Sequence, residues 1–259
     1  LAEIPSEAGF RVDTADAVVT ITLDRPDHLN AQTPSTWIWL RRVGLDLPGT
    51  VRVVVVRGAG RAFSAGLDRA MFSPDAEGGV LGLVRQPADE ADATIAGYQE
   101  GFGWLARPDL VSVAAVQGHA IGAGFQLALA CDIRIVAEDA QFTMAEPSLG
   151  LVPDLGGTRR LVELVGYSRA TEICLTGRRV PADEALRIGL AATVVPPDEL
   201  SGTVDATVQT LLELPRDAQV ETKALLLAAS GRSQPEQEAA ERQAQLRRLR
   251  ELANLLDER

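Results

Sequence analysis

Apolar and polar positions alternate along residues 17–23 (A-V-V-T-I-T-L), which predicts a strand ended by Asp24-Arg25-Pro26. Residues 36–47 carry Trp37, Leu40 and Val43 on one helical face and stop at Pro48-Gly49. Residues 51–57 are an almost unbroken valine run, the pattern of a strand covered on both faces, closed by Gly58-Ala59-Gly60. The stretch R-A-F-S-A-G-L-D (61–68) follows as a small-residue turn. Residues 69–96 scatter Gly, Pro and acidic side chains and read as a mobile loop or lid, before a helix that ends near Ala106. Residues 114–132 (A-A-V-Q-G-H-A-I-G-A-G-F-Q-L-A-L-A-C-D) then run from a β-branched segment through Gly118, Gly122 and Gly124 into an Ala/Leu-rich helix. Residues 133–137 predict another short strand, and residues 142–157 a loop with prolines at 147 and 153. Helices are expected at 158–165, 169–176 and 182–188, a strand at 190–195, and amphipathic helices at about 200–214, 221–229 and 234–256. Strands alternating with helices through the first two thirds indicate an α/β domain, and the helical tail a packing or oligomerisation region.

A strand, a glycine-rich turn and a helix N-terminus leave unpaired backbone N–H groups at the positive end of a helix dipole, where an anion or a developing oxyanion can be held. A plain βα connection with no chemistry has the same pattern. Composition narrows the choice. The chain has 259 residues and a net charge of −11, which speaks against nucleic acid and anionic membrane surfaces as partners. No apolar run approaches a membrane span, and no basic stretch followed by an apolar run marks a signal peptide; the chain begins at Leu1 without Met, leaving room for a short leader. Cys131 and Cys174 lie in apolar helical contexts without metal-ligand spacing and read as buried thiols in a reducing cytoplasm. Lys223 is the only lysine, which removes a Walker A phosphate loop.

Five stretches in order carry a resemblance. L-D-R-P-D-H-L-N-A (23–31), R-A-F-S-A-G-L-D (61–68), V-Q-G-H-A-I-G-A-G-F-Q-L-A-L-A-C-D (116–132), F-T-M-A-E-P-S-L-G-L-V-P-D-L-G-G-T-R-R-L (142–161) and L-T-G-R-R-V-P-A-D-E-A-L-R-I-G-L (175–190) resemble the enoyl-CoA hydratase/isomerase family of the crotonase superfamily. The resemblance implies a ββα spiral with two near-perpendicular sheets, here residues 1–197, and a C-terminal helical oligomerisation region, residues 198–259. It implies homotrimers, often paired as hexamers, and acyl-CoA thioesters as substrates, with coenzyme A part of the substrate and no other cofactor or metal.

By motif position, the resemblance places the oxyanion-hole N–H groups on Leu67 and Ala123, and CoA or substrate contacts at Arg25, Ala65, Gly66, Asp68, Arg69 and Gly122. Family hydratases use two glutamates; the matching positions here are Gln126 and Glu146. Glutamine can orient water but cannot exchange a proton at neutral pH. A proton shift by Glu146 alone, turning a 3-enoyl-CoA into its 2-enoyl isomer, is therefore the leading expectation. Asp154 occupies a position where some family isomerases also carry a catalytic aspartate, so a relay between Glu146 and Asp154 is a further expectation. Each residue has a plainer reading. Asp154 precedes a helix and would suit an N-cap, Glu146 a solvated loop, and Gln126 an ordinary helix position. His28 reads as a surface residue and His119 as a packing residue. Ser64 lies outside a nucleophile elbow, the tail carboxylates and arginines read as solvated faces or intersubunit pairs, and Lys223 is a candidate CoA-phosphate contact. Enoyl-CoA hydration, or acyl-CoA binding without turnover, are the competing functions.

Overall fold

The computed structural model describes residues 3–73, 75–76 and 78–257. The chain opens with a hairpin, β1 (Phe10–Ala15) and β2 (Val18–Leu23), turning at Asp16 with φ 50°. β2 matches the alternating segment expected from sequence. β1 is not evident in the apolar pattern because only Phe10 is buried along it, and its outward side chains mark an exposed sheet edge.

From β2 the main sheet runs in the order β1-β2-β3-β4-β6-β9, antiparallel only at the first pair. Its remaining members are β3 (Val53–Gly58), β4 (Val111–Val116), β6 (Ile133–Ala137) and β9 (Thr193–Val195). The valine run is covered on both faces, as expected. Val54 and Val56 face the main core, while Val53 and Val55 face a second cluster with Val113, Ala115, Ile135, Leu200, Val204 and Val208. Successive strand side chains point to opposite faces, so each central strand serves both layers. The small second sheet, ordered β5-β7-β8, comprises β5 (His119–Ile121), β7 (Gln141–Thr143) and β8 (Val180–Pro181).

Helices cover these sheets. α1 (Pro34–Asp46) starts at Thr33, whose hydroxyl accepts from Thr36 N–H in a capping box, with proline in the first turn. α2 (Ala88–Gly103) packs on α1, and Gly101 permits the contact, since a Cβ there would lie 2.4 Å from Trp37 O. This corrects the loop expected over 69–96. The segment forms two 3-10 turns, Arg69–Phe72 and Val80–Arg85, and from Ala88 it is helical. The buried positions of α2, Tyr98, Gly101 and Phe102, all fall in its C-terminal half, so its first turns show no apolar periodicity.

α3 (Ala123–Ala130), α4 (Gly157–Val165), α5 (Tyr167–Thr176) and α6 (Ala182–Arg187) follow close to the expected bounds, and then α7 (Leu200–Glu213), α8 (Arg216–Ala228) and α9 (Gln234–Asp257). α7 lies on the outer face of β3, β4 and β6. Among the described residues no helix is long and apolar enough to cross a membrane.

Lys223, the candidate CoA-phosphate contact, has its ammonium engaged by protein acceptors. It is buried on α8, where Nζ donates to Leu110 O at 2.7 Å and to Asp132 Oδ2 at 2.6 Å, and Asp132 also receives the Ser112 N–H at 2.8 Å. Its charge is spent fastening the C-terminal helices to the end of α3. The Lys223→Met variant leaves Asp132 without its cation. Breaking a fully buried pair costs about 3–5 kcal/mol; Asp132 keeps some solvent, so a loss of roughly 2 kcal/mol is expected in urea unfolding, and Lys223→Met with Asp132→Leu should not restore it, because Ser112 N–H then loses its acceptor as well.

Candidate active site

Two turns meet through their backbones. Ser64 N–H donates to His119 O at 2.8 Å and Ile121 N–H to Ser64 O at 3.0 Å, an isolated parallel bridge between residues 64 and 120. Glycines make the approach possible. At Gly66, with φ 83°, a Cβ would lie 2.4 Å from Ile121 O and 3.4 Å from Ala123 N; at Gly124 it would lie 2.6 Å from Ser64 O. Residues flanking Leu67 are tied down: Ala65 N–H donates to Leu29 O, Gly66 N–H to Ser64 Oγ, and Asp68 N–H to Gln32 O. Among the described residues, neither the Leu67 N–H nor the Ala123 N–H has an acceptor. Ala123 opens α3, whose first-turn N–H groups have no partner within the helix.

A buried polar chain that sequence patterning does not reveal supports the first turn. Trp37 Nε1 donates to Gln32 Oε1 at 2.8 Å, Gln32 Nε2 donates to Ser64 Oγ at 3.1 Å, and Ser64 Oγ donates to Asn30 O at 2.8 Å while accepting from Gly66 N–H. Ser64 is thus a scaffold hydroxyl and not a nucleophile. Arg25 is held against the same turn, donating to Ala31 O at 2.8 Å and Asp68 Oδ2 at 2.9 Å. Burial works to raise the Asp68 carboxyl, but the Ala70 N–H and the Arg25 guanidinium outweigh it and hold Asp68 below the usual carboxylate range. Of the expected CoA contacts, Arg25 and Asp68 therefore bind each other, Ala65 and Gly66 form the turn, and Arg69 is exposed beside it. His28 is exposed and His119 half-buried in β5, as expected.

The second turn faces the carboxyls. Gly122, with φ 51°, leaves room for Glu146, whose Oε1 lies 3.2 Å from where a Cβ would sit. Glu146 opens the 3-10 turn Glu146–Leu149. Its Oε1 accepts from Gln126 Nε2 at 2.7 Å; its Oε2 is buried with no partner. Gln126 is 1% exposed, and its Oε1 accepts from Leu155 N–H at 2.9 Å and Gly157 N–H at 3.3 Å. Burial raises the Glu146 pKa; its own backbone N–H, the Gln126 amide and the Ala145 N–H pull it down, and the charge of Asp154 adds to the rise. Asp154 keeps solvent access, but crowding by the protein raises its carboxyl too. These observations argue against two of the plainer readings. Glu146 is not a solvated loop carboxylate, and the N-cap of α4 is Gly156 without a side-chain cap, so Asp154 does not fill that role. Gln126 is a buried link between Glu146 and the loop beyond Asp154.

Gln99 on α2, which sequence reasoning missed, donates to Asp154 O at 2.8 Å. It lies beside the buried Tyr98 in the C-terminal half of that helix, and a lone glutamine there carries no motif that would single it out. A cavity of about 870 Å³ lies elsewhere, between α8 and the ends of α3 and α4, and is not lined by Gln126, Glu146 or Asp154. Among the described residues no cluster of His, Cys, Asp or Glu could hold a metal ion.

The family model described as enoyl-CoA hydratase/isomerase matches residues 13–252. The chain is 38% identical over 199 residues to carnitinyl-CoA dehydratase of Escherichia coli, covering 76% of this chain and 71% of that relative. It is 34% identical over 188 residues to the peroxisomal Delta(3,5)-Delta(2,4)-dienoyl-CoA isomerase of Arabidopsis thaliana, covering 71% and 68%. The structure of a Thermobifida fusca YX protein in complex with CoA is similar at a TM-score of 0.91 and 51% identity, covering 96% of each chain; the same source has a structure with acetoacetyl-CoA, at 0.91 and 50%, covering 95% and 96%. The architecture is thus the crotonase fold that the motifs implied.

Two outcomes test this geometry. Gly66→Ala places a methyl against Ile121 O at a positive φ, and thermal unfolding should report a loss of roughly 1–3 kcal/mol. Glu146 binds its proton more tightly folded than unfolded, so it stabilises the fold most below the ordinary glutamate range. That contribution disappears as pH rises through the raised folded value. Urea unfolding from pH 4 to pH 8 should show a weaker fall in stability with pH for Glu146→Gln than for the wild type.

Proposed function

The chain belongs to the enoyl-CoA hydratase/isomerase family, and from that premise we propose that it shifts a double bond in an enoyl-CoA thioester, with Glu146 carrying the proton. One observation favours this over water addition: Glu146 faces an amide, Gln126, and not a second acid. Two-carboxylate hydration needs a partner that can exchange protons, and an amide cannot.

A proton next to a thioester is weakly acidic because its removal puts negative charge on the carbonyl oxygen. The free N–H groups of Leu67 and Ala123 are the proposed donors for that oxygen, each contributing on the order of 2.7–4 kcal/mol to the transition state. Glu146, ionised, takes a proton from C2 of a 3-enoyl-CoA; the C–H electron pair enters the dienolate, and return of the proton to C4 leaves the double bond between C2 and C3. The raised Glu146 carboxyl suits both halves, since a stronger base removes a carbon acid's proton more readily and still returns it. Asp154, whose charge Glu146 senses, is the candidate second carrier for a shift over more distant carbons.

Coenzyme A enters as part of the substrate, as in the Thermobifida fusca complexes. No other cofactor is required by this chemistry. The free thiols Cys131 and Cys174 suit a reducing cytoplasm, and residues 198–259 are the proposed trimer- or hexamer-forming region, where α9 exposes Leu246, Leu249 and Leu252.

The deciding measurement offers 2-enoyl-CoA and 3-enoyl-CoA of several chain lengths to the purified protein. Conversion of the 3-enoyl substrate is expected, falling at least about 100-fold in Glu146→Gln. Asp154→Asn should retain the 1,3 shift and lose any longer-range one. Rapid hydration of the 2-enoyl substrate would overturn the isomerase assignment. Tight CoA-ester binding without turnover or deuterium exchange would make the protein a binder.

A further inference from the structure

Gln126 is tied at both ends of its amide. Its oxygen faces the Leu155 and Gly157 N–H groups, which can only meet an acceptor, so its NH2 must face Glu146 Oε1. The reversed amide would set donor against donor on one side and acceptor against carboxylate on the other. Gly157 permits the arrangement, because a Cβ there would lie 2.7 Å from Gln126 Cγ and 3.1 Å from its Oε1. Glu146 is thus held between the bare Cα of Gly122 and the Gln126 amide, one oxygen bonded and the other buried without a partner.

We infer that Gln126 is a positioning residue that makes Glu146 a base with a single working oxygen, Oε2, and fastens that base to the loop carrying Asp154. This inference rests on the assignment of Glu146 as proton carrier, but it concerns which oxygen works and what holds it. The carboxylate cannot rotate without breaking the bond to Gln126 Nε2. Oε1 is occupied as an acceptor, and a proton placed on it would face the amide hydrogen. The proton therefore resides on Oε2 during transfer. Because the Gln126 carbonyl bonds the backbone at 155 and 157, a change at position 126 also moves the segment on which Asp154 sits.

Two substitutions separate this role from simple packing. Gln126→Glu keeps an acceptor for the Leu155 and Gly157 N–H groups and so keeps the fold, but it sets a second carboxylate oxygen against Glu146 Oε1, where the two must share a proton. Gln126→Met keeps the bulk and removes both bonds. The probe is Glu146 itself, followed by carboxyl 13C NMR titration of glutamate-labelled protein and assigned with Glu146→Gln. The second readout is turnover of 3-hexenoyl-CoA against pH.

In Gln126→Glu the single Glu146 transition should become two coupled steps, the upper at least one pH unit above wild type, with the acid limb of kcat moving with it. In folded Gln126→Met the transition should also move up, with kcat down at least tenfold and KM within about twofold. An unchanged Glu146 transition in Gln126→Glu overturns the inference, whatever the Met variant does. If the transition splits as expected but the wild type does not turn over 3-hexenoyl-CoA and Glu146→Gln changes no activity, the positioning role stands and the isomerase assignment falls.

Discussion

The structure depends on the contact between two backbones, the turn through Gly66 and the turn through Gly122. Residue 64 bridges to residue 120 by two main-chain hydrogen bonds, and at Gly66 and Gly124 any side chain would collide with the opposite backbone. The contact brings the Ala123 N–H to within 3.4 Å of the Cβ position of Gly66, the residue before Leu67. Bringing two loops this close costs conformational entropy in glycine-rich segments. The buried chain Trp37–Gln32–Ser64–Asn30 offsets that cost, since every hydrogen bond in it is removed from water and fixes the Gly66 side of the contact.

On the far side of Gly122 the balance is electrostatic. Removing Glu146 from water disfavours its charged form, its own backbone N–H, the Gln126 amide and the Ala145 N–H favour it, and the charge of Asp154 disfavours it again. Desolvation prevails, so the carboxyl lies above its ordinary range while one oxygen remains free. A carboxylate in that condition is a stronger base toward carbon than a solvated one, and its protonated form a correspondingly weaker acid, a balance that the proposed reversible proton shift uses in both directions. The glycines at 122 and 157 belong to this balance as much as the polar groups do. A Cβ at 122 would press on Glu146, and one at 157 on Gln126.

The parts of this molecule legible in its sequence are those where burial and periodicity coincide. The valine run of β3 announced a strand covered on both faces, and the core-facing residues of α1 marked that helix. β1 and the first half of α2 were not legible, because elements lying on the surface need no apolar pattern and are held by their neighbours. At the site, the identities of Gln126, Glu146 and Asp154 could be read from motif position, but their relations could not. Lys223 shows the same gap. One lysine in a polar helical tail has no sequence mark of burial, and only the tertiary placement of Asp132 and Leu110 accounts for it.

Gln126 and Lys223 illustrate two uses of a buried polar side chain. Lys223 completes an ion pair whose partners come from distant elements, and its three-donor ammonium serves to join α8 to the strand ends. Gln126 has both a donor and an acceptor group, and the fold uses them in opposite directions, the acceptor to hold a loop and the donor to hold a carboxylate. A carboxylate at 126 could do the first, and an ammonium the second. A neutral amide satisfies the two backbone N–H groups and leaves no second carboxylate hydrogen-bonded to Glu146, which suits the proposed single-base chemistry.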